Sequence, residues 1–151
     1  MGAVAVMEIK VIRNSGKVYF EDQLVDGCGI RKARAFLQGT CGSFAKQCVE
    51  FHEILKEHPF NYRERQIQSV IFPAMAKHAD VVFVEQPVSR DQGTNLGRLD
   101  YWVLSGGTVF LIEMKHDYHA LFSKRVRKSA REKWEEGQRQ LAGIPIRNIE
   151  E

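Results

Sequence analysis

Two carboxylates and an amine fall at matching places on two neighbouring β-rich runs. Asp100 stands in Arg-Leu-Asp-Tyr-Trp-Val-Leu (98–104), and Glu113 and Lys115 stand in Thr-Val-Phe-Leu-Ile-Glu-Met-Lys (108–115). Ser105-Gly106-Gly107 separates the runs, and a Gly-Gly pair between β-forming runs predicts a tight hairpin. With Gly106-Gly107 as a two-residue turn, Val103 faces Phe110 and Asp100 faces Glu113, while strand alternation puts Glu113 and Lys115 on one face. Opposed Cβ atoms are only about 5 Å apart, and like charges opposed across a sheet are destabilising. A divalent cation removes that penalty. Mg²⁺ is typically held by one or two carboxylates, waters and phosphate oxygens, and it polarises a phosphoryl oxygen and activates bound water. A lysine beside it can orient or deprotonate that water, or stabilise negative charge in the transition state. The competing reading is a surface ion pair between Glu113 and Lys115, and a one-residue register slip would move the acids to opposite faces.

The elements needed to position this cluster can be read from the rest of the chain. Val4 to Ile12 and Lys17 to Phe20 flank the turn signal Asn14-Ser15-Gly16 and predict an N-terminal hairpin. Arg31 to Gln38 predicts a short helix ending at Gly39. A second helix is predicted from an N-cap at Ser43 to about Glu57, with Phe44, Cys48, Phe51 and Leu55 at helical spacing. Asn61 predicts the N-cap of a further helix, with Glu64 at its third position and Ile67, Val70, Ile71, Ala74, Met75 and His78 on its apolar face. Glu64 falls on the edge of that face, and Pro73 is expected to kink the helix or end it near Phe72. Val81 to Val84 predicts a buried strand, and Ser89 to Gly97 a polar loop beside Asp100. A long helix is predicted from about Ala120 to Leu141, with a stripe of Phe122, Val126, Ala130, Trp134, Gln138 and Leu141. Its other face carries Lys124, Arg125, Arg127, Lys128, Arg131 and Lys133, a set suited either to phosphate contact or simply to solvation.

Asp100 followed, after a hairpin, by Glu113-Met114-Lys115 resembles the PD-(D/E)XK nuclease superfamily, and Glu64 on a preceding helix is similar to a further acid of that pattern. The likeness covers about residues 63–141. It implies an α/β, restriction endonuclease-like fold, a mixed β-sheet flanked by helices in αβββαβ order. Residues 1–57 would then be an N-terminal elaboration and 58–151 the catalytic core of a single domain. It further implies a metal-dependent nuclease in which Asp100, Glu113 and Glu64 hold Mg²⁺ or Mn²⁺, with the Met114 carbonyl as a further ligand, and Lys115 positions the attacking water. DNA is expected over RNA because most members act on it. RecB-like members carry a glutamine on the helix after the site, and Gln138 looks like that position, with Gln140 as its competitor. Ala142 stands where those members have tyrosine, and Leu99 stands where the family name has proline. The alternative is a non-catalytic nucleic-acid-binding or assembly module on the same fold.

Composition sets wider bounds. A chain of 151 residues is expected to form one domain with a sizeable core. The net charge of +3 is compatible with nucleic acid without indicating it. No apolar stretch approaches the roughly 20 residues that span a membrane, and Gly2 to Met7 is too short for a signal-peptide core. Cys28, Cys41 and Cys48 are odd in number and form no C-x-x-C pair, so an intracellular protein without a disulfide framework is expected. With His52 and His58 they match no zinc spacing. The chain has no P-loop of the form G-x-x-x-x-G-K-[ST]. The residues after the last helix are short for a final strand and helix, so completion of the sheet by a homo-oligomer or a larger protein is one expectation.

Overall fold

The computed structural model describes residues 6–12, 16–22, 29–90, 95–117 and 127–144. The elements among them come in short runs of each type, a mixed α/β arrangement: β1 (Val6–Ile12), β2 (Gly16–Asp22), α1 (Ile30–Leu55), α2 (Glu64–Ala76), β3 (Val81–Arg90), β4 (Asn95–Ser105), β5 (Thr108–Ile112) and α3 (Lys128–Ala142). They cluster into two compact units, residues 1–81 with 104–108, and residues 82–103 with 109–151. The first unit runs to Val81, and within it α2 packs on α1.

In the first unit β1 and β2 form an antiparallel hairpin whose register runs from Val6↔Asp22 to Ile12↔Gly16. Helix α1 corrects the sequence reading, which divides it in two at Gly39. It runs unbroken through Gly39 and Gly42 from an N-cap at Gly29, whose φ of 98° is a left-handed conformation suited to glycine. Glycine inside a helix costs about 1 kcal/mol relative to alanine. Here it makes room for a neighbour, since a Cβ at Gly39 would lie 2.7 Å from His78 Nδ1. Ser43, expected to cap a second helix, is instead in mid-helix, with its Oγ 2.8 Å from His78 Nε2. Phe36, Thr40 and Cys48 of α1 are buried, as are Ile67, Ala74 and Met75 of α2.

The N-cap of α2 is Arg63, not Asn61, because Asn61 is already committed to a 3-10 turn over Pro59–Asn61. Pro73 does not end the helix, which continues to Ala76. The one bond it removes would have reached the carbonyl of Ser69, an exposed position that water can serve.

Residues 104–108 belong to this unit and include the predicted turn. Gly106 and Gly107 have φ of 56° and 73°, so both central residues are left-handed, as a type I′ hairpin turn requires. Four hydrogen bonds anchor this tip. Asp80 N–H donates to Leu104 O (2.8 Å), Gly106 N–H to Asp80 Oδ2 (2.8 Å), Ser105 Oγ to His78 O (2.8 Å), and Lys32 Nζ to Gly106 O (2.7 Å).

The second unit holds the bodies of β3, β4 and β5, a three-stranded antiparallel sheet in that order. A mixed sheet was expected. Short connections between successive strands favour antiparallel pairing, and a final strand of an αβββαβ order would fall in 145–151, outside the described residues. Strand β3 runs on to Arg90, and β4 begins at Asn95, so most of the predicted 89–97 loop is strand. Pro87 is tolerated because β3 is an edge strand, where a missing N–H need not break a ladder. Along β4, Leu99, Tyr101 and Val103 are buried, whereas Arg98 and Leu104 are exposed and Asp100 and Trp102 half-buried. That alternation is the expected signature of a strand with one covered face.

Helix α3 begins at Lys128, with Arg127 extended as its N-cap. The predicted start at Ala120, with Phe122 and Val126, lies outside the described residues. Its covered stripe is also not the predicted one. Ala130, Lys133, Gly137, Gln140, Leu141 and the following Ile144 are the buried or half-buried positions, whereas Gln138 is exposed and Trp134 is 62% exposed. A glycine at the centre of the stripe lets the helix backbone come close to its neighbours.

Candidate functional site

β5 ends at Ile112, so Glu113, Met114 and Lys115 follow the strand and are not part of it, contrary to the sequence-based expectation. They nevertheless stay beside β4, because the Met114 N–H donates to Asp100 Oδ2 at 2.8 Å. A carboxylate accepting a backbone N–H is fixed in place, and here it pins the chain leaving the sheet. Lys115 Nζ turns back to Glu113 Oε1 at 2.6 Å, a charge-assisted bond of the short, strong kind. Asp100, Glu113 and Lys115 are thus gathered by one backbone hydrogen bond and one ion pair within the second unit.

The pair is largely removed from solvent. The side chain of Glu113 is 5% exposed and that of Lys115 21%. Glu113 Oε2 is buried and has no hydrogen-bond partner. A buried carboxylate oxygen without a donor is costly, and a ligand that binds carboxylate oxygens would remove that cost.

Helix α3 supplies the other wall. A Cβ on Gly137 would lie 3.4 Å from Lys115 Cγ and 3.7 Å from Glu113 Cγ, so the helix backbone passes directly over both side chains. Two more helix residues hold the segment after Lys115. Lys133 Nζ donates to the His116 carbonyl (2.7 Å) and lies 3.6 Å from Asp117 Oδ1. Ser129 Oγ donates to Asp117 Oδ2 (2.9 Å). The sequence places Lys133 on the basic outer face and does not single out Gly137, Ser129 or Asp117. A glycine inside a helical run was the available signal.

The other predicted residues divide. Gln138 is exposed and lines a shallow surface hollow with Glu135, Arg139 and Ala142. Gln140 lies on the covered stripe, with a buried Oε1 that has no partner. Glu64 belongs to the first unit, where it is the first residue of α2 and half-buried. Arg127, Lys128 and Arg131 are exposed around the start of α3, Lys128 lying 3.6 Å from Glu132. Lys124 and Arg125 lie outside the described residues.

The donor set fits a hard cation. Two carboxylates on adjacent segments, one with a buried oxygen lacking a donor, are the oxygen ligands Mg²⁺ or Mn²⁺ takes. Among the described residues no group of three or more Asp, Glu, His or Cys side chains is gathered for a metal, so any ion held by these two carboxylates would need further oxygen ligands from outside the protein. Also among them, Cys41 and Cys48 are free thiols, while His52 and His58 stack with ring centroids 4.1 Å apart. No helix among the described residues is long and apolar enough to cross a membrane. The chain matches no protein-family model, no curated protein and no solved structure.

Proposed function

We propose that this protein is a metal-dependent nuclease of the PD-(D/E)XK type on a restriction endonuclease-like core, hydrolysing phosphodiester bonds in DNA. The observation that carries the reading is the Glu113 carboxylate. It is buried, bound on one oxygen to Lys115 Nζ and without a donor on the other, beside an Asp100 carboxylate tied to the Met114 N–H. Asp100 and Glu113 would hold Mg²⁺ or Mn²⁺. The bound ion would supply charge neutralisation at the phosphoryl oxygen and a more acidic water.

Lys115 has the proton-handling role. Its contact with Glu113 fixes where Nζ stands, which suits it to orient a water or to stabilise charge on the phosphoryl oxygens. Lys133 and Ser129 hold the residues that follow Lys115, and this limits the drift of Nζ. Exposed Arg127, Lys128 and Arg131 offer cations for neighbouring phosphates.

The test is incubation of the wild type and Lys115→Ala with DNA and RNA substrates in Mg²⁺, Mn²⁺ or EDTA. Metal-dependent cleavage lost in the variant is the expected result, and equal cleavage by both proteins would refute the mechanism. The Glu113–Lys115 pair would equally serve as a structural ion pair. That observation favours the second reading, a nucleic-acid-binding or assembly module, for which metal-independent binding without cleavage is expected.

A further inference from the structure

The open face of β4 carries a row of unlike groups. Leu99, Tyr101 and Val103 occupy the covered face, so Arg98, Asp100 and Trp102 share the accessible one. Same-face neighbours on a strand stand about 6.8 Å apart. Arg98 is 71% exposed at the side chain, with its guanidinium on Glu85 at 2.9 Å. Trp102 stacks on Phe83 of β3, with ring centroids 5.5 Å apart and 27° between the planes. Phe83 still keeps 46% of its surface accessible. Asp100 therefore stands between a cation and an accessible aromatic pair.

We propose that Phe83 and Trp102 form a stacking platform for an unpaired nucleobase, so that the substrate is single-stranded or splayed at the position beside Asp100. A base inside a duplex already has both faces stacked, whereas an unpaired base offers its π face to an aromatic side chain. The backbone of such a strand is anionic and suits the Arg98 end of the row. A second copy of this chain fits the same face less well, because it would bury Arg98, Glu85 and Asp100 together with the rings, at a desolvation cost. The substrate class rests on the nuclease reading of Asp100 and Glu113, but base stacking can be measured without cleavage.

The chain has two tryptophans, so Trp134→Phe leaves Trp102 as the sole tryptophan, to be excited selectively over tyrosine. The full-length Trp134→Phe protein is titrated in EDTA with a twelve-nucleotide oligothymidine and with a blunt twelve-base-pair duplex. The expected result is quenching of Trp102 by the single strand, with little by the duplex. Phe83→Ala is expected to weaken single-strand binding about 5- to 150-fold, the range for removal of one stacked base. Phe83→Tyr retains binding, and Phe83→Leu, which keeps apolar bulk without a ring, does not. Equal quenching by both nucleic acids, no quenching, or full binding by Phe83→Leu would overturn the platform. So would a concentration-dependent dimer that Phe83→Ala dissociates. Quenching that depends on Phe83, in a protein that cleaves nothing, would keep the platform and remove the nuclease reading. Metal-dependent cleavage unaffected by Phe83→Ala would do the reverse.

Discussion

Replacing Lys115 by methionine keeps most of the stem that passes under Gly137 and removes only the charge. Glu113, 5% exposed, then carries both its oxygens without a partner. Breaking a buried ion pair from one side costs about 3–5 kcal/mol. Because Lys115 retains a fifth of its side-chain surface in solvent, the lower end, about 3 kcal/mol, is the relevant figure. At about 2–4 °C per kcal/mol for a chain of this size, the midpoint should fall by about 6–12 °C. Both tryptophans lie in the second unit, so their fluorescence during heating reports on the unit that holds the pair. The double variant Glu113→Gln/Lys115→Met removes both charges and should recover most of the loss. Mg²⁺ at about 100 times its dissociation constant stabilises by about 2.7 kcal/mol. It should rescue Lys115→Met strongly and leave the double variant nearly unmoved. A midpoint for Lys115→Met within about 1 °C of wild type would refute the buried-pair argument, and an equal Mg²⁺ effect on all three proteins would refute cation binding at Glu113.

Three further outcomes follow from other parts of the molecule. Gly39→Ala gains about 1 kcal/mol of helix propensity but displaces the His78 ring from Ser43, a bond worth about 1 kcal/mol. Its stability should therefore match wild type in urea unfolding, whereas Gly39→Ala in a His78→Ala background should gain about 1 kcal/mol; no gain there would mean that His78 is not what Gly39 accommodates. Burial pushes the Cys48 thiol up to about 11, above the roughly 8.5 of an unfolded cysteine. The fold thus favours the protonated thiol, a contribution present below about pH 8.5 and lost as pH rises towards 11, so Cys48→Ala should show a smaller alkaline loss than wild type in unfolding at pH 8 and 10.5, and parallel losses would count against burial as the cause. Neutralising Arg127, Lys128 or Arg131 should each make the dependence of log affinity on log salt shallower by about 0.7–0.9 for every phosphate left without its cation, and an unchanged slope would remove that residue from the interface.

What could be read in advance depended on how local each cause was. The type I′ turn at Gly106-Gly107 is specified by two adjacent residues, and it brings Asp100 beside the segment carrying Glu113 and Lys115. Fold class was legible to the level of mixed α/β. Gly39 reads as a helix end because the reason for it, the ring of His78, is supplied from far along the chain. Residues 89–90 read as loop because they end an edge strand, which tolerates the polar residues and the nearby proline that usually signal one, and residues 95–97 because Asn95 and Gly97 are turn-type residues, here carried by the central strand. The α3 stripe differs for a related reason. Hydrophobicity picks Trp134, whereas packing is governed by Gly137, which has no side chain to register in a hydrophobic pattern. Lys133 looks like one more surface cation until its carbonyl partner at His116 is in view.

The anchored tip of the β4–β5 hairpin has a consequence for synthesis. Lys32, His78 and Asp80 are made before the residues that satisfy them, Leu104, Ser105 and Gly106. As the chain emerges from the ribosome, these four bonds of the first unit must wait until the turn has been translated. A fragment ending at Val81 would lack all four, with the Asp80 carboxylate and amide left to solvent. Most of each strand that leads to and from the turn belongs to the other unit. The interval before the turn emerges is when the nascent chain is most open to aggregation and to chaperone capture.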